Sequence, residues 1–311
     1  MSIQEVKRYR LYSQHLKNLF GCKVYKVTLD AGFSCPNRDG KLSSLGCIYC
    51  DEGGSFSQAQ ESCWPISKQL DVGMKKLRHR FKAKKFISYF QAYSNTYGPV
   101  DKLKSIYDEA LCFEDVAGLS IATRPDCVDA EKLSLIQTYS KNYYVWLEYG
   151  LQTIHENSLK LINRGHTLDQ FNNAIEITKK YAPDVNICAH VILGLPGESA
   201  SQMIETARYI SDLGVDGVKI HLLCVLKNTS LEPIYLNGDF EPLSQQEYVT
   251  AVADFLENLS PSITIHRMAG NGLKKILVAP RWLSKKFELL NQIDYELERR
   301  GSCQGIRYSK S

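Results

Sequence analysis

Three cysteines, Cys35, Cys47 and Cys50, stand close together at the spacing C-x11-C-x2-C. Three thiolates on one loop can hold three irons of a cubane cluster and leave the fourth iron open. A structural cluster or a structural zinc calls for four ligands. Cys22 and Cys63 are available as a fourth, so spacing alone leaves an iron–sulfur cluster, zinc and unliganded thiols as three readings. The open cluster is favoured by the aromatic Tyr49 before the last cysteine, by Gly53-Gly54 behind it, and by the loop's place after a first strand. The remaining cysteines are isolated, and Cys112, Cys188 and Cys224 lie in apolar surroundings where a thiol packs as a small hydrophobe.

The elements that must position this loop follow from hydrophobic period. Apolar, β-branched or aromatic runs at Val24–Leu29, Phe86–Phe90, Val116–Ala122, Tyr144–Tyr149, Val185–Leu193 and Gly217–Leu223 read as strands. Helical patterns separate them at Ser67–Ala83, Val100–Cys112, Ala130–Tyr139, Leu168–Tyr181 and Ser199–Leu213. A helix over Glu5–Phe20, closed by Gly21, precedes them. A helix at Ser244–Asn258 and a short strand at Ile263–Met268 follow. Consecutive β-α units imply parallel strands with right-handed crossovers. The expectation is therefore an α/β chain: a partial (β/α)6 barrel over residues 1–239, with an N-terminal helix and a C-terminal α/β extension over residues 240–311 that closes the barrel and contributes to the substrate site. In such barrels the chemistry gathers at the C-terminal ends of the strands.

Composition excludes several classes. Of 311 residues, 44% are hydrophobic and 23% charged, which is ordinary for a globular chain and rules out a disordered or collagenous one. No apolar run reaches the roughly 18 residues of a membrane span. The opening Met-Ser-Ile-Gln-Glu-Val-Lys-Arg puts charges where a signal peptide is apolar. A cytoplasmic location is expected, with no membrane partner, and there the ten cysteines stay reduced. The net charge of +4 is unevenly spread: Lys68 to Lys85 holds eight Lys/Arg against one Asp, and Gly272 to Lys286 holds five Lys/Arg and no acid. Such stretches suit a polyanion or simply a solvated face.

Cys47-Ile48-Tyr49-Cys50, with Cys35 upstream, resembles the radical S-adenosylmethionine (SAM) signature. The wider pattern is similar to the YhcC/YtqA-like branch of that superfamily, related to the elongator catalytic subunit, in which a gap of eleven between the first two cysteines is expected. The resemblance rests on Leu29-Asp30-Ala31-Gly32-Phe33, Cys35-Pro36-Asn37-Arg38-Asp39-Gly40, Tyr89 to Tyr97, Ile121-Ala122-Thr123-Arg124-Pro125-Asp126, Glu148 to Thr153, Asn163-Arg164-Gly165-His166 and Gly194-Leu195-Pro196-Gly197-Glu198. It implies one 4Fe-4S cluster on Cys35, Cys47 and Cys50, with S-adenosyl-L-methionine chelated to the open iron. Tyr49 would lie beside the adenine. Ser94, Asn95 and Thr96 stand where the wider superfamily carries a Gly-Gly-Glu-like segment, absent here, against the amino group. Glu148 would meet a ribose hydroxyl or that amino group, with Gln152 behind it, and Arg164 would pair with the carboxylate. Gly194 to Glu198 would let the backbone approach the adenine. A buried ion pair is the structural alternative for Glu148 and Arg164, and an ordinary helix-start turn for Gly194 to Glu198.

Substrate candidates are Asn37 and Arg38 on the loop, Gln91 and Tyr93, Arg124, His221, and His266, Arg267 and Asn271 around the last strand. No catalytic side chain is singled out. The resemblance implies an enzyme that generates a 5′-deoxyadenosyl radical to modify or cleave the side chain of a modified nucleobase. The foremost substrate is a tRNA wobble uridine, cut from carboxymethylaminomethyl to aminomethyl. Queuine lyase-type cleavage of a free 7-deazaguanine base, in queuosine salvage, is the alternative. Flavodoxin or ferredoxin would supply electrons. From another class, a non-catalytic zinc-stabilised RNA-binding protein would explain the cysteines and the charge, but would leave the strand-end motifs without a role.

Overall fold

Alternating apolar runs and amphipathic stretches fold as alternating strands and helices, each crossover returning the chain parallel to the strand before it. The computed structural model describes residues 7–51, 53–54, 64–270 and 275–310. In chain order the elements are α1 (Tyr12–Phe20), β1 (Val24–Leu29), α2 (Ile66–Phe81), β2 (Lys85–Phe90), α3 (Val100–Glu109), β3 (Val116–Thr123), α4 (Ala130–Ser140), β4 (Tyr144–Gln152), α5 (Glu156–Leu161), α6 (Leu168–Tyr181) and β5 (Asn186–Leu193). They continue as α7 (Ala200–Asp212), β6 (Gly217–Leu222), β7 (Val225–Leu226), α8 (Leu231–Leu236), α9 (Gln245–Glu257), β8 (Thr264–Arg267), β9 (Leu277–Ala279) and α10 (Lys286–Arg299). Seven strands form a sheet in the order β1-β2-β3-β4-β5-β6-β8, while β7 pairs antiparallel with β9. The α/β class and the sequential strand order of a partial barrel are as expected.

Two compact units make up the chain. One comprises Leu16–Leu151 and Asn163–Cys188 and carries β1 to β4. Its strands pair in parallel, Leu29 with Phe90, Phe90 with Ile121 and Ile121 with Leu147, and all four side chains are fully buried. Each such burial is worth about 1.5–3 kcal/mol. Helix α2 lays Leu70 and Met74 on β1. Gly73 is needed there, because a Cβ on it would come within 2.3 Å of Val27 Cγ1. The helix runs back toward the edge where strands begin, and there the Lys84 N–H donates to the Lys23 carbonyl at 3.0 Å.

The other unit comprises Met1–His15, Gln152–Ile162 and Ala189–Ser311, and so contains the whole segment 240–311 together with residues 189–239. In it β6 and β8 pair in parallel, Gly217 opposite Thr264. The N-terminal helix is shorter than expected. It starts at Tyr12, because residues just before it run beside β8: Leu11 bridges to Ile265, whose N–H donates to the Arg10 carbonyl at 2.8 Å. Glu5 lies outside the described residues. Helix α10, which the periodicity reading omits, packs on α9 through Leu289, Ile293 and Leu297. Arg300 fastens the pair by reaching Asp254 at 2.6 Å, Glu296 at 2.7 Å and Glu257 at 3.3 Å.

Candidate functional site

The cysteine loop leaves the end of β1 and is shaped by its own backbone. The Cys35 carbonyl accepts from the N–H groups of Arg38 and Asp39, the Asn37 carbonyl from Gly46, and the Cys47 carbonyl from Cys50. Asn37, almost fully buried, donates Nδ2 to the Asn163 carbonyl at 2.7 Å and lies 3.6 Å from Cys47 Sγ. Asn163 returns the contact, donating to the Gly46 carbonyl at 2.6 Å. Gly165, at φ +70°, completes the seat, since a Cβ there would stand 2.6 Å from Asn37 Oδ1. The Asn163-Arg164-Gly165-His166 segment is thus the anchor of the cysteine loop.

Two guanidinium groups face the sulfurs. Arg38 Nη1 lies 3.5 Å from Cys50 Sγ and also donates to the Asp51 carbonyl. Arg164 Nη1 lies 3.8 Å from Cys47 Sγ, and its Nη2 donates to the Gly150 carbonyl at 2.8 Å. Burial alone would lower the Arg164 pKa, but Tyr49 and Cys47 beside it hold it above its ordinary value. Burial, and next the adjacent Cys47, push the Tyr49 phenol well above its usual range. His166, buried and then opposed by Arg164 and Arg124, is pushed well below the ordinary imidazole value and stays neutral. Arg124 is occupied by this scaffold: it grips Asp126 through two 2.8 Å bonds and donates to the carbonyls of Arg164 and Gly165. Its donors hold the anchor segment in this structure.

Behind β2, Tyr93 adopts φ +60°, with its ring seated on Gly54, where a Cβ would come within 2.7 Å of the ring. Gly54 is thereby explained, and Gln91 lies half-buried just before Tyr93. Asn95 Nδ2 ties the Ala92 and Ala122 carbonyls together, and Thr96 Oγ1 meets Thr123 Oγ1 at 2.6 Å and donates to the Cys127 carbonyl at 2.8 Å. Thr96 is consequently a strand-end tie. Asn95 Oδ1 is buried without a hydrogen-bond partner among the described residues, and the buried Ser94 hydroxyl lies beside Cys127. Glu148, fully buried on β4, is held by Lys26 and by the Ser120 hydroxyl. For Arg164 the partners are sulfur and carbonyl instead of a carboxylate. Lys26, which sequence reasoning passed over, was signalled by a lone charge in the apolar run Val24–Leu29.

The second unit holds the other expected residues. Gln152 is buried at φ +76°, and Gly194, at φ +80°, abuts Leu243. Glu198 is raised above the usual carboxylate range by burial, against hydrogen bonds from the Thr153 and Ser158 hydroxyls, and its Oε1 has no hydrogen-bond partner among the described residues. The helix-start turn is present too, as Ser199 and Gln202 form a capping box at α7. His221 lies beside His190 with ring centroids 5.4 Å apart, His266 stacks on Tyr12 at 3.8 Å, and Arg267 pairs in register with Lys219. Asn271 and Cys63 lie outside the described residues.

The candidate fourth ligands narrow. Cys22 precedes β1 while the cysteine loop follows it, and six strand residues separate them by roughly 20 Å. Residues 42–210 match the radical SAM superfamily, and residues 215–299 the radical SAM C-terminal domain.

The chain belongs to the radical SAM superfamily. It is 40% identical to YtqA of Bacillus subtilis, over 96% of this chain and 92% of that one. It is 32% identical to YhcC of Escherichia coli, over 96% and 95%. A tRNA uridine(34) acetyltransferase of Dehalococcoides mccartyi is 27% identical over 55% of this chain and 36% of its own. The solved structure of Methanocaldococcus infernus Elp3 with an N-terminal deletion covers 90% of this chain and 64% of its own, with a TM-score of 0.67 at 16% identity, and so shares the fold. Among the described residues no helix is long and apolar enough to cross a membrane.

The cofactors of this radical SAM enzyme are a 4Fe-4S cluster and S-adenosyl-L-methionine. The residues fit them. N–H donors point at two of the three sulfurs, from Asn37 and Arg164 at Cys47 and from Arg38 at Cys50. Among the described residues, the buried Asn95 Oδ1 and the Arg164 Nε–H have unused bonding capacity.

Proposed function

We propose that this radical SAM enzyme modifies the side chain of a tRNA wobble uridine, cutting carboxymethylaminomethyl back to aminomethyl. Cys35, Cys47 and Cys50 would hold the cluster, and Ser94 and Asn95 in the same unit would offer acceptors to the amino group of SAM. Bound there, the cluster and SAM would supply 5′-deoxyadenosyl radical chemistry, with a flavodoxin- or ferredoxin-type protein as the electron source. The chain's own residues orient and neutralise: Arg38 and Arg164 offset the charge of the sulfurs, and Asn37 and Asn163 fix the loop.

The observation that carries the tRNA reading is the exposed run Lys75, Lys76, Arg80, Lys82, Lys84 and Lys85 along α2 and into β2. With α2 about 24 Å long, that run suits a polyanion much larger than a nucleobase. The likeness to a protein named for tRNA uridine 34 supports it. One observation favours a free 7-deazaguanine base instead. The densest cations, Arg78 to Lys85, lie toward the strand-starting edge, away from the cysteine loop, and Lys75 and Arg78 are paired to Asp71 and Asp115.

Reduced, reconstituted enzyme should be given SAM and either tRNA bearing carboxymethylaminomethyluridine or free queuine, and the products read by mass spectrometry. Aminomethyluridine in the tRNA is the expected result. Cleaved queuine with unchanged tRNA would overturn the reading.

A further inference from the structure

We propose that Arg38 is a positioning residue for the electron-transfer step: by donating to Cys50 Sγ it holds the cluster at a higher midpoint potential, with Arg164 acting likewise at Cys47. The inference rests on the cofactor assignment above and is independent of the substrate. Its basis is geometric. The Arg38 stem passes over Gly46, where a Cβ would stand 3.1 Å from Arg38 Cγ, so this glycine clears the path of the side chain. The head then meets both Cys50 Sγ, at 3.5 Å, and the Asp51 carbonyl, which fixes the guanidinium against the sulfur. From the other side, Arg164 is buried, with Nη1 3.8 Å from Cys47 Sγ. Each of these two cysteines therefore has a fixed cation beside it, and Asn37 adds a neutral donor at Cys47.

The step is a one-electron transfer in which the reductant is oxidised and the cluster reduced. No bond is made or broken in it. The added electron increases the negative charge on a cluster already ligated by thiolates. N–H bonds to the sulfurs and nearby cations stabilise the reduced form more than the oxidised one, and so raise the potential. The position of the donor matters because N–H bonds to sulfur act at short range, whereas exposed charge is screened. Lys41, on the same loop but exposed and lying over the Tyr97 ring at 5.3 Å, supplies the comparison.

The test is an electron paramagnetic resonance titration against dithionite of the full chain, reconstituted anaerobically. The expectation for Arg38→Gln is an assembled cluster whose signal still changes with SAM. Its reduction equilibrium should fall at least tenfold, a shift of about 59 mV for one electron. Arg38→Lys should fall between it and the wild type, and Lys41→Gln should stay within about threefold of the wild type. A wild-type potential in Arg38→Gln, or an equal shift in Lys41→Gln, would overturn the proposal. So would loss of iron from both Arg38 variants while Cys112→Ala retains it, since Arg38 would then serve loop assembly. A wild-type protein that takes up no cluster would instead sink the cofactor assignment, and the inference with it.

Discussion

Each side chain around the cysteine loop has an identifiable task, and the tasks differ in kind. Cys35, Cys47 and Cys50 are the proposed ligands. Asn37, Asn163 and Gly165 keep the loop in one shape, and Arg124 braces the segment that carries the last two. Replacing any of the three cysteines with Ala should abolish the cluster absorbance and iron content, whereas Cys112→Ala should leave both intact. A cubane that survives in Cys47→Ala would remove that residue from the ligand set. Gly165→Ala tests the scaffold: it sets a Cβ 2.6 Å from Asn37 Oδ1 at a φ that L-residues disfavour. A loss of about 1–3 kcal/mol in chemical denaturation is expected, with reduced iron retention. An unchanged midpoint would mean that Asn37 is free to move. The cysteine cluster was legible in the sequence because its spacing is short. The tasks of Arg164 and Arg124 were not, because a lone arginine does not disclose whether it meets a carboxylate, a sulfur or a carbonyl from a distant stretch of chain.

At the scale of elements, the unit containing α9 and α10 depends on charge. Glu296 is held at about 2, first by its hydrogen bond from Arg299 and also by Arg300, although burial opposes this. A carboxylate depressed in the folded state stabilises above its unfolded value, near 4.5, and loses that contribution as pH falls toward about 2. Thermal melts should therefore show the wild type losing stability over that window. Glu296→Gln should be less stable than the wild type by about 1.5–3 kcal/mol at neutral pH and should lose part of the acid sensitivity. Equal melting of the two proteins from pH 7 to 2 would contradict the pairing. Most elements were readable: β1 and α6 match their expected bounds, and the seventh strand pairs with β6 as a parallel extension. The N-terminal helix was overextended because Leu11 is claimed by Ile265, a partner far along the chain that no local period records. Helix α10 was missed although Leu289, Ile293 and Leu297 recur every fourth residue, since charged residues between them obscure the apolar stripe.

Over the whole molecule, the excess of cations between Lys68 and Lys85 was visible in the sequence, but where on the fold it falls was not. The direction of α2 carries most of it toward the strand-starting edge, so any RNA held there would be gripped at a distance from the base undergoing reaction. Replacing Arg80, Lys82, Lys84 and Lys85 with Gln should weaken tRNA binding about tenfold. It should also flatten the slope of log affinity against log salt by up to about 0.9 for each phosphate no longer neutralised. SAM cleavage without substrate should be unaffected. An unaltered slope would remove this face from the tRNA account. Every part of the account still depends on an iron–sulfur cluster whose open iron meets SAM. The most direct measurement is an electron paramagnetic resonance spectrum of the anaerobically reconstituted, dithionite-reduced protein, with and without S-adenosyl-L-methionine. The account predicts a reduced cubane signal that changes when SAM is added. A silent protein carrying zinc in place of iron would contradict it.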